Sequence, residues 1–300
     1  MKNNIAVIGL GSMGYGIATS CLRSGHLVWG VDTNIDQVKA FCSQGGQATT
    51  LNSVIDKIDV VVVVVLNSVQ TEEVLFGQEG LVENLKPGTV VISCATVAPT
   101  FAIDMEKRCK EFEVFYLDAP ISGGALKAKN GQLSIMASGV KEAFQHARPT
   151  LDSISETVFE LGDEAGTGSA MKSVNQLLAG VHIAVMAEAL TFGISQGISP
   201  DKFVEVISKC AGTSWMLENR APHIVNGDYK PHSSINIWPK DLGIVLDVAL
   251  ESKFNAPIAT AALEPFRTAV DMGLGFEDDA AVAKVYAKSA NLSLPKKNDV

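Results

Sequence analysis

The chain has few residues in the arrangements that build disulfide scaffolds or metal sites. Its five histidines stand far apart, and no Cys-x-x-Cys pair occurs among its five cysteines, which are Cys21, Cys42, Cys94, Cys109 and Cys210. Disulfide-rich secreted domains and structural zinc modules depend on closely spaced cysteines and histidines. We therefore expect neither class, predict no metal centre, and expect free thiols in a reducing compartment.

The chain also lacks an excess of positive charge and a long apolar run. It carries 24 Lys and Arg residues against 33 Asp and Glu residues, which gives a net charge of -9. This balance argues against nucleic acid or an anionic membrane as the main partner. The most apolar stretch, Val60–Leu66, has seven residues, whereas a membrane-spanning helix needs about 20. The start of the chain has no signal-peptide layout, so we expect a cytoplasmic protein.

A glycine-rich turn lies between an apolar strand and a helical stretch near the start of the chain. Its residues are Gly9, Leu10, Gly11, Ser12, Met13 and Gly14. In this Gly-x-Gly-x-x-Gly pattern the first glycine permits a tight turn and the second lets a pyrophosphate approach the backbone. The third lets the helix pack closely against the strand. Because N–H groups at a helix start can bind phosphates, the turn predicts a bound dinucleotide.

An aspartate at the end of the next predicted strand indicates which dinucleotide binds. Asp32 follows the strand Leu27–Val31 and lies 21 residues after Gly11. A carboxylate in this place can accept hydrogen bonds from both ribose hydroxyls and would repel a 2′-phosphate. No arginine follows in Thr33 or Asn34, so the sequence predicts NAD rather than NADP. The alternative is an ordinary glycine turn followed by a surface aspartate.

The pattern of apolar residues divides the chain into two parts. The first part alternates short strands with helices, which predicts a doubly wound α/β sheet of the Rossmann type. Val60–Leu66 is its expected buried central strand, and Leu133–Ala137 and Thr157–Leu161 are expected to be later strands of the same sheet. From Gly168 to Gln196 the spacing predicts one long helix, and only helical patterns follow. We predict an NAD-binding domain over 1–163 and an all-α domain over 164–300, built on that inter-domain helix.

A serine and two glycines follow a predicted strand end in the segment Asp118–Gly124. Ser122, Gly123 and Gly124 would expose backbone N–H groups beside a hydroxyl group. Such a turn at the carboxyl end of a strand can bind a small anion, for example a substrate carboxylate. The alternative is a plain tight turn.

A lysine near the start of the long helix is the candidate acid/base group. Lys172 and Asn175 are three residues apart and share one helix face. The helix dipole and the apolar surroundings should both disfavour the ammonium form, which suits proton transfer near neutral pH. Lys240, at the start of a later helix, offers a second cation for a carboxylate or for the nicotinamide edge. A surface role for Lys172 is the alternative, and a catalytic pair that uses His182 stays open.

The order of these motifs, with Gly-His-x-Val-x-Gly-x-Asp at 25–32 and Thr96-x-x-Pro99, resembles the 3-hydroxyisobutyrate dehydrogenase family over nearly the whole chain. The resemblance implies NAD(P)-dependent oxidation of a small hydroxy acid. It implies that Lys172 is the catalytic acid/base with Asn175 beside it, and that Ser122–Gly124 hold the substrate carboxylate. Lys240 would line the cleft for cofactor and substrate. Leu66, Asn67 and Thr96 would lie near the nicotinamide end of the cofactor.

Details of the resemblance bear on the substrate. The segment Gly-Ser-Met-Gly-Tyr-Gly-Ile-Ala at 11–18, with Trp29 and Asp32, is most similar to the branch that oxidises L-threonate to 2-oxo-tetronate. The alternatives are 3-hydroxyisobutyrate dehydrogenase and tartronate semialdehyde reductase. The family commonly has Leu-Pro where this chain has Leu66-Asn67, and Asp-x-Ser-Thr where it has Ser93-Cys94-Ala95-Thr96.

Three relatives of other types are less consistent with the sequence. Imine-reducing relatives lack the catalytic lysine, and decarboxylating sugar-acid dehydrogenases have a larger all-α part. A non-catalytic NAD-sensing protein would have no need of Lys172 and Asn175. The apolar long helix exceeds what a short second domain can cover, which predicts a homodimer or homotetramer.

Overall fold

The computed structural model describes residues 2–48 and 51–297. The chain forms two compact units, Met1–Lys172 and Ser173–Val300. The first turn of the long helix thus belongs to the first unit, while the boundary at 163/164 stays a prediction.

The first unit contains a five-stranded parallel sheet in the order β2-β1-β3-β4-β5. Its strands are β1 (Asn4–Ile8), β2 (Leu27–Val31), β3 (Val60–Val63), β4 (Val90–Ser93) and β5 (Phe115–Asp118). The helices that connect them are α1 (Gly14–Arg23), α2 (Ile35–Ser43), α3 (Ser68–Phe76) and α4 (Pro99–Lys110). A separate apolar core covers each sheet face, one around Val62 and one around Val63. All four residues of β3 are buried, as expected of a central parallel strand.

The later strands of the first unit form a second sheet, not a continuation of the first. This sheet has the order β6-β7-β8, with β6 (Ile121–Ser122) antiparallel to β7 (Leu133–Ala137) and β8 (Ser155–Glu160) parallel to β7. Helices α5 (Gly124–Asn130) and α6 (Lys141–Ile154) complete the unit. One bridge, between Asp118 and Ser138, connects β5 to the segment after β7. The prediction of a single sheet was wrong here, because a two-residue strand such as β6 has no readable periodicity.

Two further boundaries differ from the sequence prediction. Strand β3 ends at Val63, and Leu66 is 65% exposed, so the predicted strand is three residues too long. The apolar run continues because Val64 and Val65 pack against the cores after the strand has ended. Helix α9 (Trp215–Val225) was not predicted, because Pro222 within it argues against a helix at the level of sequence.

The second unit is helical, which confirms the predicted class of an α/β part followed by an all-α part. Its helices are the continuation of α7 (Thr167–Ser195), then α8 (Pro200–Ile207), α9, α10 (Ile237–Glu251), α11 (Pro257–Asp271) and α12 (Ala283–Ser289). Trp238 of α10 stacks on Phe266 of α11 with ring centroids 5.6 Å apart, at the centre of the apolar core.

Helix α7 is long and apolar enough to pass a length and composition test for a membrane span, and among the described residues no other helix does. Half of the most apolar 18-residue stretch of this helix is buried. Ile183, Met186 and Leu190 from this helix are almost completely buried in the core of the second unit. The helix is therefore the core helix of this unit, and its composition is not clear evidence of a membrane span.

Candidate active site

The glycine turn between β1 and α1 has the backbone geometry that its sequence requires. Gly9 has φ +93°, and a Cβ there would lie 2.5 Å from the carbonyl oxygen of Val64. A Cβ on Gly14 would overlap the carbonyl oxygen of Gly9. Any side chain at these two positions would force the helix away from the sheet, so both glycines serve the turn itself.

The middle glycine serves a different purpose. Among the described residues, a Cβ placed on Gly11 would meet no atom within 4 Å apart from those of its chain neighbours. The turn does not need a glycine here, but a ligand that approaches the backbone would. Because the first N–H groups of α1 lack partners within the helix, this open position suits a pyrophosphate. Ser12 beside it is exposed, whereas Leu10 and Met13 pack against the core.

Asp32 is held rigidly beside the glycine turn. Its Oδ2 accepts a hydrogen bond from the Leu10 N–H at 2.6 Å, and its Oδ1 accepts one from the Asn34 N–H at 2.7 Å. Each carboxylate oxygen can accept a further bond. The half-exposed carboxylate can therefore receive ribose hydroxyls without rearrangement.

Leu66, Asn67 and Thr96 lie just beyond the carboxyl ends of β3 and β4, where ligands bind in open α/β sheets. Asn67 also has a structural role, because its Oδ1 accepts a hydrogen bond from Gln70 N at 2.9 Å and caps α3. The Gln70 side chain in turn accepts one from the Leu66 N–H at 2.9 Å. This reciprocal cap was missed, although the Asn-x-x-Gln spacing could have indicated it.

The structure brings Lys172 against the Asp118–Gly124 segment. The lysine is 7% exposed, and its Nζ donates a hydrogen bond to the carbonyl oxygen of Ile121 at 2.9 Å. Ile121 directly precedes Ser122, Gly123 and Gly124. Gly123 has φ +136° and Gly124 has φ +77°, and a Cβ on Gly124 would meet no atom of the described residues within 4 Å beyond its chain neighbours. The backbone at Gly124 is thus open to a ligand, whereas a Cβ on Gly123 would lie 2.9 Å from the Lys127 side chain.

The N–H groups at the start of α7 are bound by side chains distant in sequence. Asp118 accepts hydrogen bonds from Gly166 N at 3.0 Å and Ser169 N at 2.7 Å, and Ser138 Oγ accepts one from Gly168 N at 3.0 Å. Burial raises the pKa of the Asp118 carboxyl, and the hydrogen bonds from Ser169 and Gly166 act against this rise. A carboxylate at this helix end offsets the helix dipole, which is one of the two influences that the sequence predicts on the Lys172 amine.

In the second unit, a polar chain extends from Asn175 to Lys240. Asn175 Nδ2 donates to Gln176 Oε1 at 2.9 Å, and Gln176 Nε2 donates to Asp241 Oδ2. Lys240 Nζ lies 2.6 Å from Asp241 Oδ1. Gln176 and Asp241 are buried and were not predicted. Lys240 therefore has an internal counter-ion, and its contact with a ligand stays a prediction.

Possible metal ligands and thiols are further reactive groups to consider beside this site. Across residues 2–48 and 51–297, no group of three or more His, Cys, Asp and Glu residues could hold a metal ion. All five cysteines are free thiols. Burial raises the pKa of Cys21, Cys94 and Cys109 to about 12, which keeps them protonated and unreactive.

Comparisons with known proteins agree with this arrangement. Residues 4–162 match the model of the NAD binding domain of 6-phosphogluconate dehydrogenase. Residues 166–286 match that of the NAD-binding domain of NADP-dependent 3-hydroxyisobutyrate dehydrogenase.

Proteins similar to this chain in sequence or structure match it over nearly their full length. The L-threonate dehydrogenase of Cupriavidus necator is 46% identical over 95% of this chain and 97% of its own. That of Escherichia coli K12 is 42% identical over 95% of both chains. The crystal structure of 3-hydroxyisobutyrate dehydrogenase from Salmonella typhimurium superimposes with a TM-score of 0.90 at 40% identity and covers 95% of this chain and 100% of that one.

The matches span both units, so they include the open glycine turn, Asp32 and the buried lysine. The cofactor is therefore a nicotinamide dinucleotide, as the turn predicts. The chain belongs to the 3-hydroxyisobutyrate dehydrogenase family of NAD-dependent oxidoreductases that act on hydroxyl groups.

Proposed function

We propose that this protein oxidises L-threonate to 2-oxo-tetronate with NAD, and that Lys172 is the general acid/base. This proposal is supported by the buried Lys172 amine, which binds Ile121 O in the segment that leads to the open backbone at Gly124. The choice of substrate draws on relatives named L-threonate dehydrogenase, which are 42–46% identical over nearly their whole length.

The residues of the first unit divide the work of binding and proton transfer. The turn Gly9–Gly14 and Asp32 would hold the dinucleotide, with Leu66, Asn67 and Thr96 near its nicotinamide end. When bound, NAD supplies the hydride acceptor. The N–H groups of Gly123 and Gly124, with the Ser122 hydroxyl, would bind the substrate carboxylate and so orient the carbon that is oxidised.

Lys172 completes the reaction by moving one proton. In the neutral form its Nζ can accept the proton of the reacting hydroxyl while it donates a hydrogen bond to the Ile121 carbonyl. In reduction the ammonium returns that proton and stabilises the developing alkoxide. We expect Asn175 to assist the substrate hydroxyl and Lys240 to line the cofactor and substrate cleft.

Replacement of the lysine tests this role. Lys172→Ala should lower kcat by about 10²–10⁴-fold, the usual contribution of a general acid/base, while NAD binding by calorimetry stays unchanged. Lys172→Arg should fail as well, because a guanidinium does not deprotonate at working pH. The matched control is Lys107→Ala, which removes an exposed lysine of α4. A Lys172 variant that keeps more than about a tenth of the wild-type rate on all hydroxy acids would exclude this role.

A substrate panel tests the choice of hydroxy acid. We expect kcat/KM for L-threonate to exceed those for D-threonate, 3-hydroxyisobutyrate and glycerate by at least about tenfold. A site that binds the hydroxyls of its own substrate discriminates strongly, because a substrate without them leaves polar groups of the site unpaired. A higher value for 3-hydroxyisobutyrate or glycerate would assign the protein to one of those activities instead.

We also infer a homodimer or homotetramer that acts in the cytoplasm. Val174, Leu178, Val185 and Phe192 are each more than half exposed on α7 and recur at spacings of four and seven residues. Such an apolar stripe suits the helix of a second copy. Val185→Glu should lower the mass measured by light scattering, and a wild-type monomer of about 32 kDa at micromolar concentration would contradict the inference.

A further inference from the structure

The turn that begins α7 is held by two carboxylates from other elements of the first unit. Asp118, at the end of β5, accepts the N–H groups of Gly166 and Ser169 with Oδ2 and the Ser169 hydroxyl with Oδ1 at 2.6 Å. Glu106 of α4 accepts the Ala165 N–H with Oε2 at 3.1 Å. A helix is usually capped by a residue just before it, whereas Asp118 lies 48 residues before Gly166.

The start of the helix is also in direct contact with strand ends. A Cβ on Gly168 would lie 2.5 Å from the carbonyl oxygens of both Asp118 and Met136. Only a glycine allows this approach. The helix therefore cannot move closer to β5, and the bonds to Asp118 prevent it from moving away.

The segment that begins at Asp118 contacts α7 at two points with matched spacing. Asp118 binds Ser169, and three residues further along both segments Ile121 O accepts the bond from Lys172 Nζ. The first contact fixes the axial position and rotation of the helix. The second then depends on them, because Lys172 is one helical turn beyond Ser169.

We propose that Asp118 is a positioning residue, whose carboxylate fixes the first turn of α7 and thereby sets the position of the Lys172 amine. This inference rests on the proposed role of Lys172. A displacement of about 1 Å in a catalytic group can lower the rate by about 100-fold, so a helix start that is fixed on two sides has a direct catalytic consequence.

Substitutions separate the geometry of this contact from its charge. Asp118→Asn keeps an oxygen for the Gly166 and Ser169 N–H groups and an amide that can donate to Ser169 Oγ, while it removes the charge. Asp118→Ala removes all three of these bonds, and Ser169→Ala removes the one that its hydroxyl donates to Oδ1. Glu106→Ala is the matched control, because it frees the same turn at Ala165 without contact to the helix residues that bind Asp118.

For each variant we would measure thermal unfolding, NAD affinity by calorimetry, and kcat and KM well below the lowest melting temperature. Asp118→Ala should lower kcat per folded molecule by about 100-fold, with NAD affinity unchanged. Asp118→Asn should restore kcat to within about threefold of wild type, and Glu106→Ala should keep it there. In a Lys172→Ala background, Asp118→Ala should cause no further loss of the residual rate, because positioning acts only through the lysine.

The outcomes distinguish this inference from the proposed function. If Lys172→Ala is inactive but Asp118→Ala keeps the wild-type kcat per folded molecule, Asp118 is only structural and the role of Lys172 stands. If Lys172→Ala is active, the proposed function fails first. An Asp118→Asn variant as slow as Asp118→Ala, with a displaced pH profile, would overturn positioning in favour of a charge effect. If Asp118→Ala does not fold, Ser169→Ala decides, with a kcat loss that disappears in the Lys172→Ala background.

Discussion

Helix α1 begins shortly after a Gly-x-Gly sequence and helix α7 begins within one, yet the two helix starts have opposite properties. At Gly11 the described part of the chain leaves open space, and a Cβ would have no contact within 4 Å beyond its chain neighbours. At Gly168 strand carbonyl oxygens already occupy the space that a side chain would need. Glycine leaves room for a ligand at the start of α1, whereas at the start of α7 it leaves room for the strand carbonyl oxygens.

The N–H groups of the two helix starts differ in the same way. At α7, Asp118 and Ser138 accept the N–H groups of Gly166, Gly168 and Ser169. Near α1, a carboxylate contact is made one residue before Gly11, where Leu10 donates to Asp32. A helix start is an anion site only where its N–H groups have no protein acceptor. The comparison shows that a glycine pattern alone does not distinguish these cases.

The largest effect should come from adding a side chain where α7 is in direct contact with the strands. Gly168→Ala places a methyl group against two carbonyl oxygens, and we expect the free energy of unfolding in urea to fall by about 3 kcal/mol. Gly193→Ala is the control on the same helix, because its nearest neighbour would be 3.5 Å away. That substitution should be neutral or slightly stabilising. Equal stability of the two variants would mean that the strand carbonyl oxygens leave room for a side chain at Gly168.

The same substitution in the first turn should leave stability unchanged and weaken the cofactor. Gly11→Ala should raise the Kd for NAD by at least about tenfold, because the methyl group lies where the pyrophosphate approaches the backbone. Thermal unfolding without NAD should match that of wild type. Gly212→Ala, whose methyl group would likewise have no described residue within 4 Å beyond its chain neighbours, should alter neither quantity. An unchanged Kd for Gly11→Ala would show that the open space serves another purpose.

The preference for NAD over NADP tests the role of Asp32 beside the glycine turn of α1. We expect an effect comparable to or smaller than that of Gly11→Ala. We expect kcat/KM with NAD to exceed that with NADP by at least about tenfold, since charge repulsion and the loss of a charge-assisted bond to the ribose should exceed about 1.4 kcal/mol. Asp32→Asn should reduce this ratio, because the amide can still accept the Leu10 N–H but carries no charge. Similar efficiency of wild type with NADP would remove the role given to Asp32.

The smallest effect concerns the contribution of Asp118, at the start of α7, to the pH dependence of the free energy of unfolding. Burial raises the pKa of Asp118 in the folded protein, so the folded state binds more protons than the unfolded state between the ordinary aspartate pKa and the raised one. The free energy of unfolding should therefore fall as pH rises through this window. Asp118→Asn should lack that component when urea unfolding of both proteins is compared across pH. A difference that stays constant, or one that grows in the opposite direction, would contradict this assignment.

Much of the site was accessible from local patterns. The strand before Gly9, the helix after Gly14 and the distance to Asp32 predict the dinucleotide turn, and the periodicity after Gly168 predicts α7. These features are local because φ preferences and burial of one helix face are decided within a few residues. The second sheet, helix α9 and the internal partners of Asn175 and Lys240 were not predicted, because short or proline-containing elements and buried polar pairs leave no periodic signal.

The sequence by itself therefore determined the fold class, the dinucleotide turn and the lysine on the long helix. Only the tertiary structure decided which helix start is open and which is closed. Gly11 and Gly168 look alike in sequence, but the acceptors that close the second turn come from residues 30 to 51 positions away. Hydrogen-bond satisfaction depends on what folding brings near a group, and that is not encoded in the group's own neighbours along the chain.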